Sequence, residues 1–225
     1  MLRDILKLII TGHEHSGTTI CKQIFQLSPH LDTGFECGIL SSTKGIRAYE
    51  KYKPYSAMLM DSWGITPADL KSIISRSGTK DYEAFYYGLR ERASNIKNKN
   101  VFLIDKTPVY IRNFSKVLRD SQDVPIFVMR KDPRNLIWSL LKRRTIKFER
   151  ACKRFSDSYC GRNQNLIENN PRIKLIQFED FIMDPVTYIK DMCERCNLEY
   201  NAEDFLAAHD MVDEKKRLSY QLPFR

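Results

Sequence analysis

The 225 residues, 42% hydrophobic and 29% charged, suit one globular domain spanning 1–225 and exclude a disordered or low-complexity chain. A net charge of +9 favours an anionic partner, because a basic surface concentrates phosphates, sulfates or nucleic acid around it. The apolar start, from Leu2 to Ile10, turns polar too soon for a secretory signal or a membrane span, so a cytoplasmic protein is expected. In such a reducing compartment the six cysteines are expected to be free thiols. Cys193-x-x-Cys196 lies in a helical pattern without the second pair that a zinc site needs.

In chain order, a β-branched run from Leu8 to Thr11 reads as a first strand, followed by helical spacing from Thr18 to Leu27. Phe35 to Gly64 lacks periodicity and carries glycines, Pro54 and tyrosines, which predicts a loop-rich insertion across the carboxyl edge of a sheet. Helices are predicted over Pro67–Ser75, where Thr66 and Asp69 supply a start signal, and over Tyr82–Ile96. Strands are predicted over Val101–Ile104, Ile126–Met129 and Ile173–Phe178, with helices over Pro108–Leu118, Pro133–Arg144 and Pro185–Cys196. Continuous apolar strands alternating with helices predict an α/β fold: a central parallel sheet flanked by helices.

Chemistry concentrates first where the leading strand meets Gly12-His13-Glu14-His15-Ser16-Gly17-Thr18-Thr19. A glycine turn running into a helix start aims unpaired N–H groups and the positive helix end at an anion. The G-x-x-x-x-G spacing matches a nucleotide triphosphatase loop, yet Thr18 stands where that loop has its lysine. Hydroxyls at Ser16, Thr18 and Thr19 remain available to a phosphate without the usual Mg-triphosphate machinery. H-S-G-T-T resembles the R/K-S-G-T-T loop of sulfotransferases that use 3'-phosphoadenosine 5'-phosphosulfate (PAPS), which implies that His15, Ser16, Gly17, Thr18 and Thr19 hold the 5'-phosphate. His15 replaces the usual cation, and a phosphate neighbour favours its charged form.

The segment Arg130-Lys131-Asp132-Pro133 through Ser139 resembles that family's R-D-P-R-x-x-x-x-S element, which grips the 3'-phosphate. Aligned on Asp132-Pro133, Lys131 takes the arginine position and Ser139 the serine position, with Arg130 offset by one. Lysine keeps the charge without the bidentate fork, so either Lys131 or Arg130 fills this role. Lys142, Arg143, Arg144, Lys147, Arg150, Lys153 and Arg154 follow as a basic stretch, read chiefly as a solvated helix face.

The resemblance also implies catalytic residues. Glu36 corresponds to the base glutamate of tyrosylprotein and related bacterial sulfotransferases, and Asp105-Lys106-Thr107-Pro108 resembles a D/E-K-T/S-P segment beside the transferring group. Lys106 would then stabilise developing negative charge, and His15 would assist. His13 and Glu14 are secondary candidates for orienting groups. Gln177-Phe178-Glu179-Asp180, followed by Asp184-Pro185, is similar to the family's Y-E-D-L…D-P segment and reads as structural.

The resemblance runs from about Leu8 to Leu198, beyond which Lys215-Lys216-Arg217 and the tail to Arg225 could close over a nucleotide. It implies a P-loop-like sulfotransferase fold, with PAPS as co-substrate and a hydroxyl or amine acceptor of unidentified kind; no metal is implied. Alternatives are a P-loop nucleotide kinase or NTPase, or a degenerate PAPS-binding protein without catalysis. A nucleic-acid partner would account for the charge, but no recognisable motif accompanies it.

Overall fold

The computed structural model describes residues 1–142 and 146–219, with side chains through Asp213. Strand β1 (Leu6–Gly12) leads to α1 (Thr18–Phe25) and the two-residue β2 (Leu31–Asp32). Helices α2 (Tyr55–Trp63), α3 (Pro67–Ser77) and α4 (Tyr82–Arg92) precede β3 (Phe102–Lys106), α5 (Phe114–Asp120) and β4 (Ile126–Arg130). Then come α6 (Pro133–Lys142), α7 (Phe148–Tyr159), α8 (Arg162–Asn169), β5 (Ile173–Gln177), α9 (Phe178–Met183), α10 (Pro185–Arg195) and α11 (Ala208–Ser219).

The strands form a parallel sheet in the order β2-β3-β1-β4-β5, as the alternating pattern predicts. From β1 the chain goes first to the far edge (β2), returns to insert β3 between β2 and β1, then crosses to β4 and β5 on the other side, so the loops after β1, β3 and β4 converge at one carboxyl edge. Both faces are covered. Leu6, Ile9, Leu103, Ile126 and Val128 pack beneath α2–α5, and Leu8, Ile10, Ile104, Phe127 and Met129 pack against α1 and α9–α11. Leu6 and Ile9 share a face although three residues apart, because the register with β3 slips between Leu6 and Leu8.

Several boundaries differ from expectation, each for a local reason. The helix predicted over 82–96 ends at Arg92: Ala93 is extended, Lys99 Nζ bonds the Arg90 and Ala93 carbonyls, and Ser94 and Asn95 donate N–H to Gly64 and Trp63. The helix predicted over 108–118 begins as a 3-10 turn through Asn113 and becomes α-helical only at Phe114. The segment 35–64, expected to be loop-rich, contains α2, whose Tyr55, Leu59 and Trp63 recur at four-residue spacing and which stops at left-handed Gly64. Thr66 and Asp69 form the anticipated capping box. Arg143 and Arg144 lie outside the described residues, as do the side chains of Lys215, Lys216 and Arg217 and the tail to Arg225.

The six cysteines are free, with Cys193 and Cys196 buried in the apolar layer around α10. Among the described residues no helix is long and apolar enough to cross a membrane.

Candidate active site

The loop between β1 and α1 is shaped by two close approaches. Gly12 sits at φ 148°, and a Cβ there would lie 2.2 Å from the Met129 carbonyl oxygen; a Cβ on Gly17, at φ 97°, would lie 2.2 Å from the Phe178 ring. His15 is half-buried in the left-handed region at φ 70°, a conformation uncommon for a non-glycine residue. Gly17 caps α1 without a side-chain bond to the first-turn N–H groups, Thr18 is buried and Thr19 exposed. Ser16 Oγ is fully buried beside the Tyr159 hydroxyl and makes no hydrogen bond among the described residues. A buried hydroxyl without a partner, below an uncapped helix start, is a cradle that fits a phosphate.

His13 is buried, with Nδ1 2.8 Å from the Glu14 carbonyl, while Nε2 has no partner among the described residues. Burial pushes its pKa below the ordinary 6.5, so the ring is neutral near neutral pH. Glu14 bonds Arg112 across the mouth of the loop.

Segment 130–139 leaves β4 beside this loop. Asp132 Oδ1 accepts the Arg134 N–H at 2.8 Å, capping α6, and the Asp132 N–H is held by the Glu179 carboxylate at 3.0 and 3.2 Å. Lys131 and Arg130 diverge. Lys131 Nζ lies 4.9 Å from the centre of the Phe178 ring, the ring that packs on Gly17, and burial lowers its pKa. Arg130 Nε instead donates to Gln177 at 2.6 Å, and Ser139 is half-buried on α6. Phe178 and Glu179, read from sequence as structural, thus contact both the loop after β1 and segment 130–139.

Glu36 and Lys106, seventy residues apart, meet at the same edge. Lys106 is Cα partner to Ile10 of β1, is 2% exposed, and donates to Glu36 Oε1 at 2.9 Å with its ammonium 4.4 Å from the centre of the Phe35 ring. The backbone around Glu36 is fixed by Asp105, which the sequence places in the D/E-K-T/S-P-like segment without giving it a role of its own. Its buried carboxylate accepts hydroxyls from Thr107 (2.7 Å), Tyr110 (2.6 Å) and Tyr86. In turn Thr107 Oγ1 accepts the Gly38 N–H at 3.2 Å, and the Tyr110 hydroxyl accepts that of Leu40 at 3.3 Å. Burial raises the Asp105 pKa and outweighs these three bonds, which act in the opposite direction.

Two further groups were missed. Lys22 follows Thr18 by one helical turn on α1, and burial followed by the nearby Lys106 charge lowers its pKa. Tyr52 and Tyr55 stack with centroids 5.3 Å apart, and a Cβ on Gly38 would lie 2.4 Å from Tyr55 Cγ. Burial, with a smaller contribution from Glu36, pushes the Tyr55 pKa up to about 12. Tyr55, Phe35 and Glu36 therefore form a wall facing the same edge as the phosphate loop.

Comparison with known proteins bears on the fold and the family. No curated protein matches significantly. Among solved structures, the sulfotransferase domain of the Synechococcus PCC 7002 olefin synthase superposes with a TM-score of 0.69 at 19% identity, covering 92% of this chain and 78% of that one. The sulfotransferase domain from the curacin biosynthetic pathway gives 0.64 at 15% identity, covering 98% and 93%. Sulfotransferase STF9 of Mycobacterium avium gives 0.57 at 13% identity, covering 99% and 69%. These likenesses establish the shared α/β fold. The model described as the sulfotransferase family matches residues 8–202, and on that match the chain belongs to the sulfotransferase family.

Proposed function

We propose that the chain transfers the sulfuryl group of PAPS to a hydroxyl or amine acceptor. The observation that carries this reading is the pair of buried Lys106 and half-buried Glu36, one strand away from a glycine loop whose lysine position is Thr18. Ser16, Thr18, Thr19, His15 and the first N–H groups of α1 hold the 5'-phosphate. Lys131, with Arg130 as its alternative, and Ser139 hold the 3'-phosphate, the group that separates this donor from ATP.

Bound PAPS supplies the sulfuryl group and leaves as 3'-phosphoadenosine 5'-phosphate (PAP). Glu36 takes the proton from the acceptor oxygen or nitrogen as its bond to sulfur forms and the sulfur–oxygen bond to the 5'-phosphate breaks. Lys106 neutralises charge that grows on the transferring group and the departing oxygen. Phe35, Tyr52 and Tyr55 line the side from which the acceptor enters. Four buried free thiols suit a reducing, cytoplasmic setting.

The test is calorimetric titration with PAP, AMP and ATP plus magnesium. Tighter binding of PAP than AMP, reduced in Lys131→Ala and Ser139→Ala, is the expected result. Preference for Mg-ATP would replace this reading with a nucleotide kinase or NTPase, and PAP binding without transfer to any acceptor class would indicate a binding protein without catalysis.

A further inference from the structure

We propose that Tyr159 is a positioning residue for donor binding, its hydroxyl holding the phosphate loop in the shape that receives the anion. Tyr159 is the last residue of α7, its ring is buried, and it packs on Phe155 with centroids 5.0 Å apart. Its hydroxyl accepts the His13 N–H at 2.7 Å and donates to the Met129 carbonyl at 2.7 Å.

The position of this bridge gives it a role beyond packing. The β1–β4 ladder ends at the Gly12–Met129 pair, where Gly12 at φ 148° turns the chain out of the sheet. The phenol adds one rung past that end, so the first loop residue after Gly12 remains tied to β4. Ser16 Oγ lies beside the same hydroxyl, and Ser16 N–H bonds back to the His13 carbonyl at 3.1 Å. Tyr159 thereby sets His13, His13 sets Ser16, and Ser16 precedes the N-terminus of α1. With one bond accepted and one donated, the hydroxyl acts through the loop rather than on the ligand. Burial pushes its pKa up to about 12, so it keeps the proton that it donates to Met129.

Loss of the bridge reduces the fraction of molecules whose loop is ready to bind, which weakens apparent affinity by that fraction. Tyr159→Phe keeps the ring and its packing. We expect PAP affinity to fall about tenfold, the donor KM to rise in parallel with kcat within about twofold, and amide exchange to quicken in the peptide spanning 12–18. Tyr82→Phe is the control, because it removes another hydroxyl from a buried ring, one bonded to Asp120 at 3.0 Å and distant in sequence from the loop. The proposal is overturned if Tyr159→Phe leaves PAP affinity and loop exchange unchanged, or if Tyr82→Phe weakens PAP equally. The affinity arm rests on the donor reading. Should the wild type not bind PAP, that reading fails, and exchange in 12–18 alone decides the role of Tyr159.

Discussion

The loop after β1 and the wall around Glu36 treat polar atoms in opposite ways. In the loop, Ser16 Oγ and His13 Nε2 are buried without hydrogen-bond partners among the described residues. In the wall, Asp105 takes three hydroxyls, two of which pass the connection on to Gly38 and Leu40, and Trp63 Nε1 donates to the Phe35 carbonyl at 3.1 Å. An unpaired buried group lowers stability until a ligand completes it, whereas a saturated network adds rigidity and offers nothing to a ligand. One region therefore keeps unsatisfied polar groups, and the other holds Glu36 and Lys106 in register.

The strongest way to break this contrast is Asp105→Ala. Removal of the shared acceptor strands three buried hydroxyls, and urea unfolding should show a loss of about 3–5 kcal/mol; a loss below about 1 kcal/mol would show that the wall does not depend on Asp105. The pH dependence follows from the direction of the shift. Because the folded pKa lies above the ordinary 3.8, this carboxyl favours the fold in acid, and its contribution is lost as pH rises through the folded value. The alanine variant should lack that part of the slope.

Glu36→Gln separates rigidity from chemistry, since the amide oxygen can still accept from Lys106. We expect kcat to fall by roughly 10²–10³-fold while PAP affinity stays within about twofold, measured by single-turnover transfer and calorimetry. An unchanged kcat would move the base elsewhere. The smallest effect sharpens the other side: Ser16→Ala should weaken PAP binding by about fivefold while stability stays level or rises by up to about 1 kcal/mol, because the deleted hydroxyl has no partner in the free protein. A clear loss of stability in this variant would contradict the receiving role of the loop.

These regions also differed in how far they could be read from sequence. Gly12 to Thr19 is contiguous, and its turn into a helix follows from backbone geometry that glycine spacing encodes, so the shape of the loop was legible at once. The parallel sheet was legible for a similar reason: strands covered on both faces leave unbroken apolar runs. Glu36 and Lys106 were nominated singly, by resemblance, but the 2.9 Å contact between residues seventy apart has no local signal. The bonding roles of Asp105, Tyr110 and Tyr159 were hidden because a buried carboxylate or phenol looks in sequence like any other, and only the fold supplies its partners. The slip in β1 at Lys7 was hidden because Leu6 to Ile10 is apolar on both faces except at Lys7 itself. The divergence of Arg130 and Lys131 depends on Gln177 and Phe178, over forty residues further on.

The packing of Phe178 on Gly17, and the bond from Tyr159 to His13, set an order of events during synthesis. The loop after β1 is synthesised well before the groups that shape it, which come from positions 129, 159 and 178. A nascent chain stalled before Phe178 carries the whole motif without its finished form, so competence for nucleotide should emerge abruptly, after the last strand is released.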